Sequence, residues 1–233
     1  KYERPLLCGQ NAKHIGRSVS ASQEDKKVNR NKVLTRARHN VRQLANANPD
    51  CNKFLTLTFA ENLTDIDEAN YLFKKFMGRL KYAFPSLKLK YIAVSEFQKR
   101  GAVHYHLLCN LPYIDVKKLN EIWGNGYIKL NKIDDVNNVG AYITKYMQKD
   151  FDDPRLIGKK CYMTSRNLNK PTKLNNDKTI DELLLFLAQN DLVQRSYSNT
   201  AYNDYFGNCV YTQIILKRPV DPIDWRRKDI RET

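Results

Sequence analysis

The chain has 233 residues, 42% hydrophobic and 28% charged, with a formal net charge of +15. No apolar run approaches the roughly 20 residues that span a membrane and no signal peptide is visible, so the expectation is a soluble globular protein of the cytoplasm rather than a membrane-embedded or secreted one. The cationic excess points to a polyanionic partner, nucleic acid foremost, with a merely solvated basic surface as the alternative.

From Ser20 to about Ala47 the chain is polar and basic. A thin apolar stripe, Val33, Leu34, Ala37, Val41 and Leu44, has helical spacing. "KFLTLTFAE" follows, rich in β-branched and aromatic residues, and predicts a strand. In "DIDEANYLFKKFMGRLKYAF" Leu72, Phe73, Phe76 and Leu80 recur at helical spacing. Acids open that helix and Pro85 closes it. "LKYIAVSEF" is a strand, "KRG" a turn and "AVHYHLLCNL" another strand. "DVKKLNEIW" is a short helix, "GYIKLNKI" a strand and "NNVGAYITKYMQKDF" a helix. "CYMTS" and "YTQIIL" can add strands, and "TIDELLLFLAQNDLV" a helix.

This order predicts an α+β fold, an antiparallel sheet with helices packed against it. Three segments are expected: a basic helical extension over 1–50, a core over 51–165, and a C-terminal extension over 166–233 with a helix and strand packing on the core. The five cysteines are scattered with no CxxC, which reads as reduced thiols.

Two of only four histidines stand in "HYH" at 104–106. Residues two apart on a strand face one side, so His104 and His106 project together while Val103, Tyr105 and Leu107 face a core. The turn centres near Arg100, which sets Glu96 symmetric with His104. In a regular hairpin the two lie opposite each other, with Cβ atoms about 5 Å apart. Two imidazoles and a carboxylate without thiolate suit Mg²⁺ or Mn²⁺ better than zinc. The alternative is a pair of surface histidines on a half-exposed strand.

In "VGAYITKYMQKD", Tyr142, Lys145, Tyr146 and Lys149 fall on one helical stripe, and Val139, Ile143 and Met147 on a neighbouring one that can pack on the sheet. A tyrosine can attack a phosphodiester and become covalently attached. Its reference pKa near 10 means it needs help at neutral pH, which a metal and a nearby ammonium can supply. Most of the chain's 14 tyrosines are expected to be packing or surface residues, so the segment draws its weight from following HYH.

Taken in order, "FLTLTF" (54–59), "HYH" (104–106) with Glu96, and "YITKYMQK" (142–149) resemble the HUH endonucleases, specifically rolling-circle replication initiators of bacterial plasmids and phages. The likeness covers about residues 52–150. It implies a five-stranded antiparallel sheet with a ferredoxin-like core and HxH on a central strand. It implies Glu96, His104 and His106 as metal ligands, with Tyr105 where the family has a bulky hydrophobe. It implies a nick in single-stranded or hairpin origin DNA, a 5′-phosphotyrosine, a free 3′-hydroxyl and later rejoining. Tyr142 and Tyr146 resemble the alternating pair of two-tyrosine initiators; if a single tyrosine acts, Tyr142 is favoured by Lys145 at i+3. The 233 residues hold no G-x-x-x-x-G-K-[ST], so strand separation is expected from a host helicase or a supercoiled origin. Alternatives are a transposase or relaxase of the same chemistry, and a non-catalytic nucleic-acid-binding domain.

Overall fold

The computed structural model describes residues 23–133, 139–147, 153–156, 158–203, 207–218 and 220. The chain divides into two compact units, Ser20–Pro171 and a second built from Thr172 onward.

In the first unit the elements run α1 (Gln23–Asn46), β1 (Lys53–Phe59), α2 (Ile66–Ala83), β2 (Tyr91–Phe97), β3 (Val103–Cys109), α3 (Val116–Trp123), β4 (Gly126–Lys132), α4 (Val139–Thr144) and β5 (Met163–Thr164). Short 3-10 turns lie at Lys145–Met147 and Pro154–Leu156. The five strands form one antiparallel sheet in the order β4-β1-β3-β2-β5, which puts the HYH strand at the centre. The expected α+β fold with a five-stranded antiparallel sheet and flanking helices is the observed one.

The strict alternation of β3 divides the core in two. Val103, Tyr105, Leu107 and Cys109 join Leu55, Leu57 and Phe59 of β1 on one face, where Phe73, Phe76 and Leu80 of α2 and Leu119 and Trp123 of α3 cover them. Asp65 starts α2, its carboxylate accepting from the Asp67 and Glu68 amides, which satisfies two otherwise orphaned donors. Arg79 of α2 donates to the Ile122 and Trp123 carbonyls at 2.7 and 2.6 Å, closing the end of α3. Tyr105 is fully buried and its hydroxyl donates to Asn70 Oδ1 at 2.8 Å. The departure from an aliphatic residue is therefore absorbed by one polar partner on α2.

On the opposite face α1 and α4 cover only part of the sheet. Ala37, Val41 and Ala45 of α1 and Ile143 and Met147 pack on Phe54, Ile92, Val94 and Leu108. The apolar stripe of α1 differs from its expected form at one point: Val33 is 54% exposed, and Leu34, Ala37, Val41 and Ala45 carry the buried face. Buried Asn48 fastens the end of α1, donating to the Leu44 and Asn169 carbonyls and accepting from the Asn169 amide. The sheet face beyond α1 and α4 is where the histidines lie.

The second unit holds α5 (Asp177–Gln189) and a two-stranded antiparallel ribbon, β6 (Val193–Asn203) with β7 (Gly207–Leu216). β7 contains the expected strand "YTQIIL"; β6 was not foreseen. The four described cysteines are free thiols, and burial pushes those of Cys51 and Cys109 up to about 12. Among the described residues no helix is long and apolar enough to cross a membrane.

Candidate active site

Strand register assembles the site. Glu96 of β2 and Thr58 of β1 are the direct partners of His104, and Val94 and Thr56 those of His106. Direct cross-strand partners share a face, so the expected opposition of Glu96 and His104 is present. All three acid and imidazole side chains are buried to within 8% exposure.

The carboxylate does not stay with its direct partner. Glu96 Oε2 lies 2.6 Å from His106 Nε2, while Thr56 Oγ1 stands 3.3 Å from His106 Nδ1. Both nitrogens of His106 are thus oriented, one from each neighbouring strand. His104 Nε2 is buried and has no hydrogen-bond partner. An orphaned buried nitrogen costs free energy on the order of 1–3 kcal/mol unless something meets it. Burial lowers the His104 pKa, opposed by Glu96 and assisted by Arg100. The neutral imidazole so favoured is the form that ligates metals.

Two imidazoles and one carboxylate on one face are an acceptable donor set for a divalent cation. Among the described residues, however, no three His, Cys, Asp or Glu side chains stand in ligating positions. The cause is visible in the pair: Glu96 is bonded to His106. A cation would have to replace that bond with ligation by both groups and gather in His104.

Tyr146 closes the site from the α4 side. Its ring stacks on His106 with centroids 3.8 Å apart and planes 24° apart. Phe54 lies behind both, 5.7 Å from His106 and 5.4 Å from Tyr146, and takes Tyr142 edge-on at 4.8 Å. Lys145 Nζ stands 4.0 Å from the Tyr142 ring centroid and 5.0 Å from that of Tyr146, within cation–π range. The Tyr146 pKa is raised by burial first, then by the neighbouring Tyr142 hydroxyl and by Glu96. The expected continuous helix is shorter than its pattern: α4 ends at Thr144 and tightens into a 3-10 turn, and Lys149 lies outside the described residues. Ile143 and Met147 pack on the sheet as expected, with Val139 half-buried beside them.

Glu96, His104, His106 and Tyr146 open on a cleft of about 1050 Å³, completed by Phe97, Gln98, Lys99, Arg100, Asp153 and Arg155. Tyr142 is not among the lining residues. Thr56 and Phe54 sit in the first quoted motif, yet their role was not read there. The signal was the alternation of Phe54, Thr56 and Thr58, which becomes a site only once β1 is known to pair with β3. Asp153 and Arg155 carried no comparable pattern.

The comparison with curated proteins gave no match, and the comparison with solved structures gave none either. Among protein families, residues 52–151 match a model described as a replication-associated protein of the ORF2 type, a span that holds Thr56, Glu96, His104, His106, Tyr142, Lys145 and Tyr146.

Proposed function

We propose that this protein nicks and rejoins one DNA strand to start rolling-circle replication. The observation that carries the reading is the stacking of Tyr146 on His106, beside Glu96 and His104, at the floor of an open cleft. The family match over residues 52–151 supports a role in replication, and the +15 charge suits a nucleic-acid partner.

In this reading the Tyr146 oxygen attacks the scissile phosphorus. The bond to the 3′ oxygen breaks, leaving a 5′-phosphotyrosine, and the 3′ oxygen departs as a hydroxyl after taking up a proton. Rejoining is the reverse attack by a 3′-hydroxyl. Tyr146 begins with a raised pKa, so its proton is held more tightly than in water. The Lys145 ammonium, near both rings, favours the phenolate as it forms and offsets charge on the phosphoryl oxygens. A Mg²⁺ or Mn²⁺ ion held by Glu96, His104 and His106 would polarise the scissile phosphate. Tyr142, within 6.0 Å of Tyr146 between centroids, is placed to act in a second transfer. Its seat behind the cleft supports Tyr146 as first nucleophile, the reverse of the order that the Y-x-x-K spacing favours.

The test is incubation with single-stranded or hairpin origin DNA and Mn²⁺, followed by a denaturing gel. A covalent protein–DNA adduct, absent in Tyr142→Phe/Tyr146→Phe, is expected. Binding without any adduct would replace this reading with a non-catalytic nucleic-acid-binding domain.

A further inference from the structure

Two arginines stand on the hairpin side of the cleft in different chemical situations. The guanidinium of Arg155 is engaged within the protein. Its Nε donates to both Asp153 carboxylate oxygens at 2.9 and 3.1 Å, its Nη1 donates to the Gly101 carbonyl at 3.0 Å, and its plane lies 3.5 Å over the Phe97 ring. The carboxylate beside it offsets its charge.

Arg100 is exposed and held only by neutral acceptors. Its Nε donates to Gln98 Oε1 at 2.9 Å and its Nη2 to the Phe59 carbonyl at 3.2 Å. Among the described residues no carboxylate pairs with it, nor with exposed Lys99 beside it. The turn that carries both is rigid. The Gly101 amide donates to the Gln98 carbonyl at 2.7 Å and the Gln98 amide to the Ala102 carbonyl at 2.8 Å. Gly101 has φ +89°, a conformation that other residues rarely adopt. Two uncompensated cations are therefore presented at a fixed place on the wall of the cleft that holds His104, His106 and Tyr146.

We propose that Arg100, assisted by Lys99, binds a backbone phosphate of the DNA strand next to the scissile one, and so sets the register of the strand on Tyr146. This rests on the nicking reading and adds a phosphate site to it. A planar guanidinium already oriented by two neutral bonds loses little freedom on meeting a phosphate. Arg155, its charge already offset, pins the 153–156 segment to the hairpin instead.

The experiment measures binding of the full chain to a fluorescein-labelled single-stranded oligonucleotide of random sequence, about 30 nucleotides long, across a salt series. Arg100→Ala is expected to weaken binding roughly tenfold and to flatten the log–log salt slope by about 0.7, the value of one phosphate contact on a single strand. Arg100→Lys keeps the charge and should keep the slope. Thermal melting of each variant separates a folding defect from a lost contact, because a folding defect lowers Tm and the active fraction without changing the slope. An Arg100→Ala slope equal to wild type overturns the proposal, and so does a slope lost equally in Arg100→Lys. Failure of the nicking reading registers separately, as wild-type binding without a covalent adduct on origin DNA.

Discussion

Glu96 is the register partner of His104, yet its carboxylate reaches diagonally to His106, with Oε2 2.6 Å from Nε2. That diagonal bond leaves His104 Nε2 buried and unpartnered. The three groups therefore hold one interaction among themselves and one open demand. A divalent cation would answer the demand in exchange for the bond. Mn²⁺ at about 100 times its Kd should stabilise the folded chain by about 2.7 kcal/mol, a shift of roughly 5–10 °C for a protein of this size. His104→Ala and Glu96→Gln should lose that shift. Thermal melting with and without Mn²⁺ reads this without any activity. An equal shift in His104→Ala would remove His104 from the site. His106→Ala should also abolish cleavage while largely sparing DNA binding, which rests on Lys and Arg contacts to phosphate.

The tyrosines are distinguished by position. Tyr146 lines the cleft and Tyr142 sits against Phe54. Tyr146→Phe keeps the ring that stacks on His106 and removes only the hydroxyl. It should lower initial nicking by at least about 10²-fold, while Tyr142→Phe should nick but fail in a later transfer. Mass spectrometry of the phosphotyrosyl peptide identifies the attacking residue. Label on Tyr142 in the first turnover would restore the order that its i+3 lysine suggests.

The site was legible where a short-range rule governs it. Glu96 and His104 are related by one tight turn, so period two and the symmetry of the hairpin suffice. The tyrosine segment was legible from helical spacing, but only as a helix; the tightening at Lys145–Met147 follows from how the segment meets the sheet. Thr56 depends on the pairing of β1 with β3, a contact 50 residues apart in sequence that no local pattern encodes. Strand β6 was missed because "VQRSYSNTAYN" alternates nothing apolar: most of its residues are exposed, so a pattern built on burial has nothing to detect. Val33 faces water because Ala45 completes the buried stripe of α1 one turn beyond Val41.

The Asp153–Arg155 pair gives a pH test of the cleft wall. Arg155 hydrogen bonding holds the Asp153 carboxyl below its ordinary value, with burial opposing. A carboxylate depressed in the folded state adds stability above its unfolded pKa, about 3.9, and loses it as pH falls through the lower folded value. Asp153→Asn should therefore melt below wild type at pH 7, by a margin of about 1 kcal/mol or less because Arg155 is partly exposed. The difference should close as pH falls below about 4. A difference that persists at pH 3 would assign the effect to packing rather than to the ion pair.

Gly140 fixes how closely α4 approaches α1. A Cβ at this position would lie 2.7 Å from the Arg42 carbonyl oxygen, 2.8 Å from Arg42 Cγ and 2.9 Å from Arg42 Cα. Two of those atoms are backbone of α1 and cannot swing aside. Gly140→Ala should therefore push α4 outward. Helix propensity would favour alanine by up to about 1 kcal/mol, against an overpacking cost of roughly 1–3 kcal/mol, so a modest net fall in Tm is expected. Activity should suffer more than stability, because Tyr142, Lys145 and Tyr146 follow directly on this segment and the 3.8 Å stack on His106 depends on its position. Gly78 in α2 is the control. It is exposed, with nothing within 4 Å of an added Cβ, so Gly78→Ala should stabilise by about 0.5–1 kcal/mol and leave nicking unchanged. Tm and adduct formation are measured on both variants. If Gly140→Ala nicks at the wild-type rate while Gly78→Ala behaves as expected, the close packing of α4 on α1 has no part in placing the tyrosine.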